Sequence, residues 1–142
     1  MPAGPFVQQP RIIVVDPAGP DGLPYGRLLA RLQPLEVRVE RSLEGALGTI
    51  TRDSWDVGVI AARSGPRADT LHAAVRKADS QLPVVVLDPK PAVATARSCL
   101  QAGACDYLDL ASAETDLEDS LARLLSGSRR LAAEEVLRRA VE

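Results

Sequence analysis

The sequence predicts a doubly wound α/β domain, in which a parallel β-sheet carries helices on both faces. The first observation behind this prediction is a set of short apolar runs with the composition of buried strands, such as Ile12–Val15 and Val57–Ala62. The second is that helix-period apolar stripes alternate with these runs along the chain. Because parallel strands need crossover connections, which are usually helices, this alternation indicates a parallel sheet covered on both sides.

Length and composition indicate a single globular domain. The chain has 142 residues, 46% apolar and 25% charged, close to the average of soluble domains. Its formal net charge of -2 excludes a field that would draw it to nucleic acid or an anionic membrane. The apolar runs are far shorter than the ~20 residues of a membrane span. Cys99 and Cys105 form no CxxC pair, so we expect free thiols and a cytoplasmic protein.

The first half of the predicted domain contains two strands and two helices. The first strand, Ile12–Val15, is fully apolar, whereas Leu35–Glu40 alternates apolar and charged residues, as an edge strand with one wet face does. Ser42 is expected to cap the second helix, although Gly45 and Gly48 weaken that helix. The stripes of the two helices are Tyr25, Leu28, Leu29 and Leu32, and Leu43, Ala46, Leu47 and Ile50.

The second half continues the pattern with three strands and three helices. Asp69 is expected to cap the third helix, and Gly103 to end the fourth. The strands are predicted at Val57–Ala62, Leu82–Leu87 and Tyr107–Leu108. The helical stripes are Leu71, Ala74, Val75 and Ala78, then Val93, Ala96 and Leu100, and finally Leu117, Leu121, Leu124 and Leu125.

No catalytic motif is present in the sequence. The loop after the first strand, Asp16–Pro20, matches neither a dinucleotide-binding nor a P-loop pattern. No serine lies in a GxSxG elbow, and no cluster of His, Cys and Asp has metal-ligand spacing. The single histidine, His72, lies one residue off its helix's apolar stripe and is expected to be a solvated surface residue. We therefore expect no enzyme, metal site or cofactor.

Four segments together resemble the receiver domain of bacterial two-component response regulators. They are the apolar run that ends in Asp16, the segments Trp55–Ala62 and Leu82–Leu87, and Ala102–Leu108, whose AGACDYL is similar to the AGADDYL of the family. The likeness covers the chain from Arg11 to Leu125. It implies a CheY-like, flavodoxin-like sheet with strand order 2-1-3-4-5. It also implies the family's chemistry, in which an Asp at the end of the third strand accepts a phosphoryl group beside Mg²⁺.

The positions that perform this chemistry in the family hold other residues here. Ala61 stands at the phospho-acceptor position, and Pro17 at the second position of the acidic pair that binds Mg²⁺. Asp88 stands at the hydroxyl position and Leu110 at the lysine position, so only Asp16 is retained. A methyl group accepts no phosphoryl group, and a lone carboxylate is a poor Mg²⁺ site. The resemblance therefore implies a degenerate pseudo-receiver.

Four other expectations concern three aspartates and one tyrosine. Asp56 precedes its strand and so lies at the wrong end of the sheet to replace the missing acceptor. Asp16 and Asp88 are expected to cap the helices that follow their strands, with a new ligand site as the alternative. Tyr107 matches the aromatic residue that reorients in phosphorylated receivers. Here we expect it to be a packed, partly exposed surface residue or an interface residue.

The sequence divides into three parts. Residues 1–10 are predicted to be a flexible leader, residues 11–126 the receiver-like domain, and residues 127–142 an extra C-terminal helix that links to an output domain. The stripe of this last helix does not continue that of the helix before it, which indicates a separate or pairing helix; a frayed, solvated helix is the alternative. Its members are Ala133, Val136, Leu137, Ala140 and Val141.

These observations predict a signalling module that acts through protein contacts. We expect a homodimer that regulates an attached or partner output domain, with no nucleic-acid or membrane partner. The contacts are expected on the surface between Val93 and Leu125 and on the C-terminal stripe. The alternative is a regulatory domain that binds a small ligand at the carboxyl ends of the strands, where Asp16, Ala61, Arg63 and Asp88 would converge.

Overall fold

A computed structural model of the chain describes residues 9–17, 36–62, 67–112, 114–128 and 140. They contain a five-stranded, fully parallel sheet in the order β2-β1-β3-β4-β5, which confirms the predicted fold class and strand order. The strands are β1 (Arg11–Val15), β2 (Glu36–Glu40), β3 (Val57–Ala61), β4 (Val84–Asp88) and β5 (Asp106–Asp109). The helices are α1 (Leu43–Arg52), α2 (Ala68–Ala78), α3 (Val93–Gln101) and α4 (Glu114–Ser126), and a 3₁₀-helix spans Leu110–Ser112.

Several predictions fall outside the described residues. They are most of the leader, the helix predicted from the stripe of Tyr25 to Leu32, and all but one residue of the C-terminal stripe. The exception is Ala140, which is helical and exposed. None of the described helices is long and apolar enough to span a membrane.

Each face of the sheet carries its own apolar core. The three central strands are almost fully buried because both of their faces are covered, as their continuous apolar sequence predicts. One core lies under α4 and includes Ile12, Val59, Leu117 and Leu121. The other lies under α1, α2 and α3 and includes Ile13, Ile60, Leu71 and Val86. The alternation of side chains along each strand thus divides the sheet residues between the two layers.

The helix ends agree with the sequence at two predicted positions and differ at a third. The Ser42 hydroxyl accepts a hydrogen bond from the Gly45 N–H at 3.0 Å, so Ser42 caps α1 as predicted. Gly103 follows α3 with a φ of 104°, a left-handed conformation that favours glycine. The prediction for Asp69 is wrong. Helix α2 begins two residues earlier than this cap would place it, with Arg67 as its N-cap, and Asp69 lies in the first turn.

Helix α3 packs with a different face from the predicted one. Its fully buried residue is Cys99, whereas Val93 is 77% and Leu100 48% exposed. The predicted stripe is therefore wrong at both ends. With few apolar residues in this short helix, the sequence pattern does not distinguish a core face from an exposed one.

The prediction of a solvated His72 is also wrong. Its side chain is fully buried, and neither ring nitrogen has a hydrogen-bond partner among the described residues. Helix α2 packs on the sheet between α1 and α3, so its buried surface is wider than the stripe of Leu71 and Val75. Burial lowers the pKa of His72, and the positive charge of Arg76 lowers it further.

Candidate functional site

The carboxyl ends of the central strands bring the predicted pocket positions to one edge of the sheet. Asp16 directly follows β1, Ala61 is the last residue of β3, and Asp88 is the last residue of β4. The register pairs Val15 with Ile60 and Ala61 with Leu87, so neighbouring strands end nearly level. The fold therefore groups these positions as the resemblance implies.

Ala61 and Leu110 make one side of this edge apolar. Both are buried members of the core under α4, together with Leu87 and Leu117. Leu110 begins the 3₁₀-helix after β5, where the family pattern has a lysine. A buried methyl group and a buried isobutyl group offer neither a nucleophile nor a positive charge to an anionic group. This side of the edge consists of packed core.

Asp16 is the acidic residue of the family pattern that the chain retains at this edge. It is fully buried, and its backbone N–H donates to the carbonyl of Glu40 at 2.9 Å, which ties the end of β1 to the end of β2. The family's Mg²⁺ does not fit here, because Asp16 supplies a carboxylate whereas Pro17 and Ala61 supply none. The described residues contain no group of three or more His, Cys, Asp or Glu side chains that could hold a metal ion.

Asp88 and Tyr107 form a hydrogen-bonded unit at the same edge. The Tyr107 hydroxyl donates to Oδ2 of Asp88 and accepts from the Ala92 N–H at 3.3 Å. The second oxygen of Asp88 accepts from the Lys90 N–H at 2.9 Å. Burial and the bond to Asp88 raise the pKa of Tyr107 to about 12. The expected helix cap is wrong here, because Ala92 is the N-cap of α3 and Asp88 holds the turn that precedes it.

A second polar cluster, which the sequence analysis did not predict, lies at the opposite edge of the sheet. Asp56 directly precedes β3 and is almost fully buried, which agrees with its predicted place at the wrong end for an acceptor. Its carboxylate accepts from the backbone N–H of Arg11 at 2.7 Å and from the Ser128 hydroxyl. The Arg11 guanidinium stacks over Trp55 at 4.3 Å from the ring centroid. These contacts join the start of β1, the start of β3 and the end of α4.

An open groove of about 540 Å³ lies beside this second cluster. It is lined by the ends of α1 and α2 and by the segments that precede β3 and β4, including Ile50, Trp55, Asp79 and Leu82. The groove is thus at the amino ends of the strands, opposite the cleft in which a small ligand was expected. Arg63, one of the residues predicted to line that cleft, lies outside the described residues.

Helices α3 and α4 and the strand between them, β5, carry exposed apolar and charged side chains. Val93 and Leu100 project from α3 into solvent. Several charged side chains in this part of the chain are exposed, and one of them, Arg123, lies 3.6 Å from the Asp106 carboxylate on β5. They include Arg97, Asp109, Glu118, Asp119 and Arg123.

The strand order and the layering of the helices define a flavodoxin-like fold, the fold that response regulator receiver domains also have. Solved receiver structures match it closely. A response regulator receiver protein from Pseudoalteromonas atlantica matches with a TM-score of 0.70 and 20% sequence identity, over 83% of this chain and 98% of that one. A LuxR-family two-component response regulator from Aurantimonas matches with a TM-score of 0.69 and 22% identity, over 94% and 99% of the two chains.

A third solved structure shows the same likeness. The CheY-like receiver domain protein from Methanospirillum hungatei has a TM-score of 0.69 and 15% identity, over 90% of this chain and 98% of that one. By sequence, no protein-family model and no curated protein matches the chain. At such low identities the structural likeness concerns the fold, and function must be argued from the site.

Proposed function

We propose that the chain is a non-phosphorylatable receiver: a signalling module that acts through protein contacts and regulates an attached or partner output domain. The observation that supports this most directly is the buried Ala61 at the end of β3. The side chain at this position packs in the core with Leu87 and Leu110, so the proposed domain has no acceptor for a phosphoryl group. Pro17 and Asp88 support the same conclusion, since neither can replace its family counterpart.

Phosphoryl uptake tests this proposal directly. The domain is incubated with Mg²⁺ and either acetyl phosphate or beryllofluoride, and its amide NMR spectrum is compared with that of the untreated protein. We expect no saturable shift at Asp16, Ala61 or Asp88. A phosphorylatable receiver treated in parallel is the positive control. Specific, saturable shifts around Asp16 and Ala61 would contradict the proposal.

We further propose that the module forms a homodimer. Two features support this: the exposed Val93 and Leu100 on α3, and the C-terminal stripe, of which the described Ala140 is exposed. Exposed ion pairs contribute only ~0.2–1 kcal/mol each, so the surface charges would orient the two copies. Most of the binding free energy must come from apolar area, at ~1.5 kcal/mol or more for each large side chain that is buried.

Sedimentation measures this association. Analytical ultracentrifugation should show a concentration-dependent dimer that weakens when Val136 and Leu137 are both replaced by glutamate. The matched control places two glutamates at Ala73 and Lys77, which are exposed on α2, away from the proposed contact surface. A monomer at all concentrations, or a dimer that responds equally to both double variants, would refute the proposed contact.

The small-ligand alternative has no comparable support among the described residues. At the carboxyl edge Ala61 and Leu110 are packed in the apolar core, Asp88 is hydrogen-bonded to Tyr107, and the described groove lies at the other edge. A thermal-shift screen with small metabolites distinguishes the two functions, because a ligand-binding domain would be stabilised by its ligand.

A further inference from the structure

We propose that Tyr107 is a positioning residue that holds the start of helix α3 in one arrangement through its bridge between Asp88 and Ala92. The proposal rests on the proposed function only in its last step, that the surface of α3 meets a partner. It adds a device that keeps this surface fixed without any phosphoryl group.

The sheet register places Tyr107 where its hydroxyl can reach Asp88. Tyr107 on β5 pairs with Val86 on β4, and Asp88 lies two residues beyond Val86 on the same strand. Residues two apart on a strand share a face, so Val86, Asp88 and the ring of Tyr107 lie on the side covered by α3. The ring packs against the core that contains Cys99, the buried residue of α3. The ring of Tyr107 is thus packed on the core, while its hydroxyl reaches the polar group of Asp88.

Both hydrogen-bonding functions of the hydroxyl are used in this position. It donates its proton to the Asp88 carboxylate and accepts from the Ala92 N–H. Ala92 is the N-cap of α3 and has no side-chain oxygen of its own, so the tyrosine oxygen is the side-chain partner at this helix start. A bond to an ionised acceptor is stronger than one between neutral groups. Release of Tyr107 would therefore break two contacts at once.

Asp88 connects this bridge to the turn between β4 and α3. One carboxylate oxygen binds Tyr107, and the other accepts from the Lys90 N–H at 2.9 Å. The carboxylate therefore holds the aromatic side chain and the loop together. A hydroxyl at this position, as in the family, could not accept from both groups with two separate oxygens. Asp88, which stands where the family has a hydroxyl residue, thus has a structural role in this chain.

The bridge fixes a surface that is exposed and apolar. Val93, the first residue of α3, directly follows Ala92 and is 77% exposed. In the family that the chain resembles, the matching aromatic reorients on phosphorylation. With Tyr107 held by Asp88, the start of α3 keeps one arrangement, and a partner would meet the same surface at all times.

Amide hydrogen exchange measured by NMR tests this inference on the whole chain. Tyr107→Phe keeps the ring and removes both hydrogen bonds, whereas Asp88→Asn keeps an oxygen for Lys90 and weakens the bond to Tyr107. We expect the amides of Ala92, Val93 and Ala94 to exchange about tenfold faster or more in Tyr107→Phe, and less markedly faster in Asp88→Asn. Thr51→Val, which removes an exposed hydroxyl that donates to backbone carbonyls within α1, is the control and should leave these rates unchanged.

Two results would overturn the inference. One is unchanged exchange at Ala92 and Val93 in Tyr107→Phe. The other is equal acceleration of the amides in β1 and β3, which would mean that Tyr107 supports global stability and does not position α3. Neither result depends on phosphoryl uptake, so the inference and the proposed function can fail separately.

Discussion

The Arg76 guanidinium of helix α2 lies over Gly103, next to the position that a β-carbon on that glycine would occupy. Its Nη2 is 2.8 Å from that position, and its Nη1 donates to the carbonyl of Ser80 at 2.6 Å. Because Gly103 has a φ of 104°, any side chain there would be strained, and a β-carbon would also require the end of the Arg76 side chain to move. The contact joins the end of α2 to the turn that leads into β5.

Gly103→Ala should therefore destabilise the domain by about 2 kcal/mol, from the left-handed backbone and the displaced arginine. Urea denaturation measures the change in the free energy of unfolding. Gly127→Ala is the control, because a β-carbon at Gly127 would meet its nearest described neighbours at an ordinary 3.8 Å. Equal stability of the two variants would show that the constraint at Gly103 is absent.

Ser128→Ala should destabilise the domain by about 1.5–3 kcal/mol, since it removes a hydroxyl donor from the buried Asp56 carboxylate. The matched control is Ser126→Ala, two residues earlier. Ser126 is exposed, and its hydroxyl donates to the Arg123 carbonyl of its own helix. The control should change the free energy of unfolding by less than about 0.5 kcal/mol. Similar losses in both variants would refute the special role of the Asp56 contact.

His72 should make the domain less stable in mild acid. Its pKa is lowered in the folded state by burial, so the unfolded chain binds a proton more readily once the pH falls below about 6.5. Stability at pH 7.5 is unaffected by this group and decreases from there toward pH 5. In His72→Leu this part of the pH dependence should disappear. Denaturation curves for both proteins between pH 5 and 7.5 measure the difference, and parallel pH profiles would contradict the prediction.

Ala61→Asp should fail to restore phosphoryl uptake and should destabilise the domain by about 3 kcal/mol or more at pH 8. The new carboxylate would lie in the apolar core beside Leu87 and Leu110, where its charged form is disfavoured. The loss should shrink toward pH 5, as the group becomes protonated in the folded state. Ala94→Asp, at an exposed position of α3, is the control. Uptake of beryllofluoride by Ala61→Asp would show that the remaining pocket is competent.

The fold was predictable because its central strands have an unambiguous sequence. Residues 12–15, 57–61 and 84–87 are apolar apart from Gly58, and an exposed element would not contain such runs. In β2, apolar and charged residues alternate, which indicates the edge position that this strand occupies. The strand order followed from the family resemblance. Strand ends shifted by one or two residues, because the last pairs of a ladder depend on neighbours that the local sequence does not specify.

Side-chain environments were less predictable, because they depend on packing between elements. His72 is buried because α2 packs between two other helices, which the apolar stripe of α2 alone does not indicate. Val93 is exposed although it fits the helical spacing of apolar residues in α3. The contact of Asp56 with Ser128 joins residues 72 positions apart. Its local signal was an acidic residue directly before a buried strand, which by itself does not identify a partner. The Asp88–Tyr107 bond likewise depends on the pairing of β4 with β5.

The carboxylate of Asp56 accepts from Arg11 at the start of β1 and from Ser128 just after α4, so these two elements meet at one side chain. Because Arg11 and Ser128 bind the same carboxylate, the segment between them could be inserted into a loop of a host protein or circularly permuted with a short joining peptide, without stretching its sheet.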